Sequence, residues 1–397
     1  MPRSSSKPLQ TSCKLPAKAT LVLHTITTMT FLAASSAPTP LYRLYQALWH
    51  FSPIILTLIF AVYAFTLLSS LLLMGALSDY VGRRPVIILA IILEIAAMFI
   101  FLTASNIMML FIARAIQGFA TGLAVSAIGA ALLDLSKKHG ALINGISPMV
   151  GMAVGVLLAC SLLQFSSIPL QLIFAVLGVL LIIELLLLCF APETAQKRPG
   201  ALASLKPQLA VPEQAKSTLL SITPINIAVW MVSGFYLSLM PSLLVQAFHS
   251  QSVWLSGGTF IILTCAAASG ILMVRNSKPS QILLTGILSL ITGILIILLG
   301  INFANVVLLL LGSLVTGVGF GTGFLGSLRS LMPLALPEQR AGLMAAFFVE
   351  SYLAFSIPAI CAGYFVNKVG LITTANIYVL FIIILASIAL SLRLRQR

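Results

Sequence analysis

The chain alternates long apolar runs with short polar breaks. About 20 consecutive apolar residues, rising 1.5 Å each, cross the ~30 Å hydrocarbon core of a bilayer as one helix. Runs of that length lie at about 19–40, 53–74, 85–104, 107–134, 142–164 and 168–190 in the first half. In the second half they lie at about 221–247, 254–275, 280–301, 304–330, 342–365 and 369–391. They predict an all-α membrane protein of twelve transmembrane helices, numbered here in chain order. Helices 3 and 4 are parted only by Ser105-Asn106, and helices 9 and 10 only by Asn302-Phe303. The count hangs on those two breaks.

Residues 1–18 are polar and basic (Arg3, Lys7, Lys14, Lys18), and the run after them ends in Ala33-Ala34-Ser35-Ser36-Ala37, as in a signal peptide. The run is long enough to span and many spans follow, so it reads as an uncleaved first helix. Composition sharpens the membrane reading. Of the 397 residues 60% are hydrophobic and 8% charged, against roughly 25% charged in a soluble domain. A soluble globule of this size has no place for so much apolar surface.

The formal charge of +14 changes the picture only through its placement. With twelve spans both termini share one side. The N-terminus, Arg83, Arg84, Lys137, Lys138, Lys197, Arg198, Lys206, Lys216, Arg275, Lys278, Arg329, Arg340, Arg393, Arg395 and Arg397 fall there, and only Arg43 and Lys368 fall opposite. By the positive-inside rule the crowded side is cytoplasmic, in a plasma membrane of bacterial inner-membrane type. No basic stripe interleaves with aromatics, so nucleic acid is not an expected partner. The partners expected are a small-molecule substrate and the bilayer, with the chain a monomer.

The longest gap between spans, 191–220, carries Pro192, Pro199, Pro207 and Pro212 and reads as a linker. The expected organisation is a cytoplasmic tail over 1–18, a six-helix bundle over 19–190, a cytoplasmic linker over 191–220, a second six-helix bundle over 221–391 and a tail over 392–397. The halves look like repeats. Prolines end helix 1 (Pro38, Pro40) and helix 7 (Pro241), and Gly75 and Gly270 end helices 2 and 8. Glycines crowd helix 4 (Gly118, Gly122) and helix 10 (Gly317, Gly319, Gly321, Gly323). Asn144-Gly145 opens helix 5 and Ala341-Gly342 opens helix 11. Such repeats are one transporter plan, with a site between the halves near the midplane. Cys13, Cys160, Cys189, Cys265 and Cys361 have no metal-binding spacing and read as small apolar residues.

The loop after helix 2 reads Gly75-Ala-Leu77-Ser-Asp79-Tyr80-Val-Gly82-Arg83-Arg84-Pro85-Val-Ile87. A plain basic turn accounts for the two arginines but not for the acid and both glycines. The stretch resembles the signature loop of the major facilitator superfamily, which implies two pseudo-symmetric six-helix bundles that alternate access. In that family the loop's acid and basic residues form cytoplasmic contacts between the halves. Asp79, Arg83 and Arg84 match, with Gly75 and Gly82, whereas Tyr80 stands where the family usually has a base.

On helix 4, Arg114, Gln117, Gly118, Thr121 and Gly122 share one face. Arg114 lies roughly 10 Å inside the outer end, where it either faces the protein interior or snorkels outward. The pattern resembles the second signature of the proton-driven, twelve-helix drug antiporters of bacteria, which links this arginine to proton coupling. Helix 5, with Gly151 and Gly155, resembles the antiporter signature but has Val156 and Cys160 where proline and glycine are expected.

Glu94, Glu184 and Glu350 lie within spans. An intramembrane carboxyl is costly to ionise, which suits carrying a proton. Helix 3 is peripheral in the family fold and helix 11 nearer the cavity, so Glu350 is favoured over Glu94 as coupling acid; either one could instead pair structurally. Glu184 reads as interfacial. His24, Thr27, Thr28, Phe31 and Ser35 on helix 1 and Asn226, Trp230, Ser233 and Tyr236 on helix 7 line a cavity or serve packing. No catalytic constellation and no nucleotide loop is found, so an enzyme is not expected. No cofactor is expected either, the proton gradient being the energy source. The reading is a secondary transporter exporting small amphipathic compounds by alternating access. Uptake or facilitated diffusion of a metabolite on the same fold, and a non-transporting receptor or scaffold, remain open.

Overall fold

The computed structural model describes residues 15–205, 209–336 and 339–395, the side chains of Ala203 and Ala341 aside. Arg3, Lys7, Lys14, Cys13, Lys206 and Arg397 lie outside the described residues. Twelve helices are long and apolar enough to cross a membrane. They are α1 (Ala17–Trp49), α2 (Pro53–Met74), α3 (Arg83–Leu102), α4 (Ile107–Leu135), α5 (Gly140–Phe165) and α6 (Pro169–Leu188). After the central segment come α7 (Glu213–Ser238), α8 (Val253–Met273), α9 (Pro279–Asn302), α10 (Val306–Leu331), α11 (Arg340–Val369) and α12 (Leu371–Arg395).

Two asparagines settle the count. Asn106 and Asn305 precede α4 and α10, and their Oδ1 atoms accept from Met109 N at 3.0 Å and Leu308 N at 3.1 Å. A helix start leaves four N–H groups unpaired, and such a cap contributes about 1 kcal/mol. The capped starts make α3/α4 and α9/α10 tight hairpins rather than single long helices.

The prolines read as helix ends are hinges. α1 runs to Ser36, turns at Ala37 and resumes over Pro38–Trp49. α7 likewise is followed by a further helical piece, Met240–Gln246, with Pro241 in its first turn. A proline there forfeits only an N–H that has no partner anyway. α7 also begins at Glu213 rather than near 221, inside the stretch read as linker. Its first turns are polar, with Lys216 Nζ 2.5 Å from Glu213 Oε1, and a scan for apolar residues passes over them. For the same reason α5 starts at Gly140 and carries Asn144-Gly145 inside it.

The halves show their kinship in how glycines pack. A Cβ on Gly118 or Gly122 of α4 would strike the backbone of α2 at Tyr63 and Leu67. A Cβ on Gly317 or Gly321 of α10 would strike α8 at Leu263 and Ala267. The same i, i+4 pair thus brings two helices into backbone contact in each half. One apolar core lies wholly in the first half, around Phe31, Ile87, Phe101 and Phe174. The other is built on the second half and takes in Phe60, Ala64, Met149, Val156 and Cys160 from the first. Those five belong to α2 and α5, which pack on α11 and α8 respectively.

Twelve crossings bring the chain back to the face where it began. Most described charges lie at that basic face, while Arg43 and Lys368 close α1 and α11 at the far face. Contacts between the halves gather towards the far face. Phe60 and Phe355 ring centroids are 4.6 Å apart, Gly363 lies against Thr57, and Cys160 Sγ donates to Val253 O at 3.5 Å.

Candidate functional site

The basic-face loop is built around a turn. Gly75 ends α2, a short helix runs over Leu77–Val81, and Gly82 turns the chain into α3 with φ 103°. An L side chain rarely adopts that φ, and a Cβ there would also sit 2.5 Å from Glu193 Oε2. Glu193, just after α6, occupies the start of α3: its carboxylate accepts from Arg83 N at 2.8 Å and Arg84 N at 3.1 Å. Anions are stabilised at a helix N-terminus. Arg83 lies 2.5 Å from Asp79 and donates to Asp134 Oδ2 at 3.2 Å and Ser78 Oγ at 2.7 Å. Arg84 donates to Cys189 O. Every one of these bonds stays within the first half and the segment after α6, whereas the family pattern leads one to expect bonds to the second half. Sequence reasoning does not single out Glu193, which stands 110 residues from Arg83 along the chain, so no sequence signal marks their contact.

A second cluster is wholly buried: Glu94, Arg114 and Gln117 are each 0% exposed. Arg114 does not snorkel. Its Nη1 donates to Gln117 Oε1 at 2.6 Å and to Ser35 O at 2.9 Å, and its guanidinium stands over the rings of Tyr63 (4.8 Å) and Tyr42 (5.7 Å). Gln117 Nε2 donates to Glu94 Oε1 at 3.0 Å and to Ala34 O at 3.1 Å. Gln117 is thus the bridge between the cation and the acid, and both cation and bridge hold the backbone of α1 just before its hinge at Ala37. Glu94 Oε2 and Arg114 Nε have no protein partner among the described residues. The peripheral position expected of helix 3 does not keep Glu94 out of this cluster, because its side chain points inward to α4.

Glu350 lies apart from Arg114, in the second half. Its Oε2 accepts from Thr223 at 2.8 Å and its Oε1 from Asn226 Nδ2 at 3.0 Å; Asn226 also reaches Ser351 Oγ at 3.0 Å. Trp230, one turn beyond Asn226, is partly exposed and stacks near Tyr352 and Phe355.

One expectation is corrected, and two open alternatives are decided for packing. Glu184 is not interfacial: it is 1% exposed and accepts from Thr30 Oγ1 of α1 at 2.6 Å. Of the two roles open to Tyr236, packing is the one seen: it is buried, its hydroxyl donating to Ser313 Oγ of α10 at 2.6 Å. The stripe through His24, Thr28 and Phe31 is buried, Thr28 bonding back to His24 O. The open side of α1 is apolar instead, with Val22 56% and Ile26 42% exposed. An amphipathic stripe finds the side that differs, and here the polar side is the one that meets neighbouring helices. Gly151 and Gly155 lie against Met29 and Ala33 of α1, while Val156 and Cys160 meet Gly257 of α8.

A cleft of about 280 Å³ opens at the far face between Arg43, Gln46, Thr57, Gln246 and Gly363. One of about 210 Å³ lies at the basic face beside Asp79, Arg83, Asp134 and Arg198. Among the described residues no group of three His, Cys, Asp or Glu side chains could hold a metal ion.

The profile of the Major Facilitator Superfamily matches residues 24–359. Among solved structures 303 chains match. One of them is the human organic anion transporter MFSD10 (TETRAN), at 19% identity and a TM-score of 0.69, covering 95% of this chain and 100% of that one. A search of curated proteins found no match. The chain belongs to the major facilitator superfamily, and its work is membrane transport rather than enzymatic catalysis.

Proposed function

We infer that the chain is a proton-coupled exporter of small amphipathic compounds, working by alternating access from a cytoplasmic basic face. The observation that carries the reading is the buried bridge Glu94–Gln117–Arg114. It holds an acid and a cation against the α1 backbone beside a hinge. Protonating or ionising Glu94 alters the charge balance at Arg114, and with it the grip on Ala34 O and Ser35 O. This gives Glu94 the coupling role for which Glu350 was favoured from sequence, and frees Glu350 for the cargo. The excess of basic residues at one face supports the orientation, in a plasma membrane of bacterial type, with both termini cytoplasmic. The loop at Asp79 and Arg83 then latches the cytoplasmic side by exchanging its present partners for groups of the second half. The chain acts as a monomer with no cofactor beyond the proton gradient.

The test is substrate flux in proteoliposomes with and without an imposed pH gradient. Gradient-driven accumulation that is lost in Glu94→Gln supports the reading, and equal flux in both conditions overturns it. Val156 and Cys160 keep uptake or facilitated diffusion as a second reading, since both depart from the exporter pattern. Drug susceptibility of cells lacking the gene, against growth on single nutrients, separates the two.

A further inference from the structure

The second half presents a patch of aromatic rings next to an unneutralised acid. Trp230 of α7 lies 4.9 Å from Tyr352 and 6.2 Å from Phe324 between ring centroids, and Tyr352 lies 6.2 Å from Phe348. These four side chains are partly exposed, whereas Phe235, Tyr236 and Phe347 behind them are buried. Glu350 is also partly exposed. It sits on the same seam, because the residues that bond it, Thr223 and Asn226, lie two turns and one turn before Trp230 on α7.

The charge at this seam is uncompensated. Glu350 takes part in no salt bridge among the described residues; its partners are a hydroxyl and an amide. Arg114, buried in the first half, is already balanced through Gln117 by Glu94 and by two tyrosine faces. Ring faces carry negative potential, and each attracts a nearby cation. Carboxylate and rings therefore act in the same direction, and they repel an anion of the same shape. Trp230 Nε1 is buried and has no partner among the described residues, which leaves a donor for an acceptor atom on a ligand.

We propose that Trp230, Phe324, Phe348 and Tyr352 with Glu350 form the cargo site, and that the cargo is an organic cation with apolar flanks. The proposal rests on the reading of the chain as a transporter of amphipathic compounds and gives that cargo a sign. It does not depend on the proton gradient, so its test is an equilibrium measurement at one pH. The full chain in detergent is titrated with tetraphenylphosphonium and, separately, with tetraphenylborate, ions of nearly equal shape and opposite charge. Partition into the micelle is common to all variants and cancels between them.

The expected result is saturable phosphonium binding that weakens about tenfold or more in Glu350→Gln and in Trp230→Leu, with no saturable borate binding by the unaltered chain. Equal phosphonium affinity in the unaltered chain and Glu350→Gln overturns the proposal. So does a preference for the borate, the outcome expected if the cargo is an organic anion, and so does absence of phosphonium binding by folded protein. Should Glu350→Gln fail to give a single gel-filtration peak, Trp230→Leu and Tyr352→Ala carry the same comparison. A chain that binds phosphonium as expected but shows gradient-independent flux loses the proton coupling and keeps this site.

Discussion

Gln117 is the residue whose replacement tests the buried bridge most directly. Gln117→Leu keeps the volume roughly constant and removes the bonds to Arg114 Nη1 (2.6 Å), Glu94 Oε1 (3.0 Å) and Ala34 O (3.1 Å). Two of these involve charged partners, worth about 1.5–3 kcal/mol each. Arg114 would keep Ser35 O and its two rings, but Glu94 would keep no described partner, since its Oε2 already has none. Leaving a buried polar group unsatisfied costs about 1–3 kcal/mol, and we expect that loss for Gln117→Leu. The bridge makes a sharper demand in a double-mutant cycle with Glu94→Gln. In the Gln117→Leu background Glu94 has nothing left to lose, so the two changes together should cost less than their sum by about 1–3 kcal/mol. The assay is unfolding free energy in mixed micelles, followed by circular dichroism, for the four proteins of the cycle. Additivity within about 0.5 kcal/mol would refute the bridge, because uncoupled sites behave in that way.

Gly118→Ala should be far costlier than Gly145→Ala, by about 2 kcal/mol or more in unfolding free energy. The first Cβ strikes the Tyr63 carbonyl and the second meets nothing within 4 Å; equal stabilities would contradict the close approach of α4 and α2. Glu193→Gln should loosen the start of α3 by about 0.5–1 kcal/mol in low salt, an effect that shrinks at high salt. A loss that does not change with salt would point to packing instead. With the remaining cysteines replaced by alanine, Gly257→Cys should cross-link to Cys160 under mild oxidation after the Cys160 sulfur rotates, since a Cβ at 257 lies 3.7 Å from Cys160 Cβ, within the span of a disulfide. Transport should stop on oxidation and return on reduction, and flux that persists in the cross-linked protein would mean that α5 and α8 need not part at the far face.

That last prediction follows from where the halves touch. Rings, a hydroxyl and a thiol join them near the far face, at Phe60–Phe355, Thr57–Gly363 and Cys160–Val253. The polar loop at the basic face meanwhile spends all its described bonds inside its own half and on the segment after α6. We read this as the state closed at the far face. In the cycle proposed above, Glu193 holds the start of α3 until the second half approaches.

The sequence carried the architecture because lipid leaves a backbone few choices. Each span must satisfy its own N–H and C=O groups, so length and hydropathy locate helices, and the glycine pairs 118/122 and 317/321 already mark where two of them touch. What sequence did not carry is which polar atoms meet. Gln117, three residues from Arg114, is visible as a face-mate, but that its amide reaches Glu94 depends on how α3 is rotated against α4, and apolar residues cover α3 on nearly every side. The same ignorance of rotation leaves Tyr236 open between a cavity and packing until its bond to Ser313 decides, and puts Glu184 at a surface instead of against Thr30. In lipid the costly groups turn inward and find each other, so the polar stripe of α1 marks its contacts and the apolar Val22 and Ile26 mark its open side.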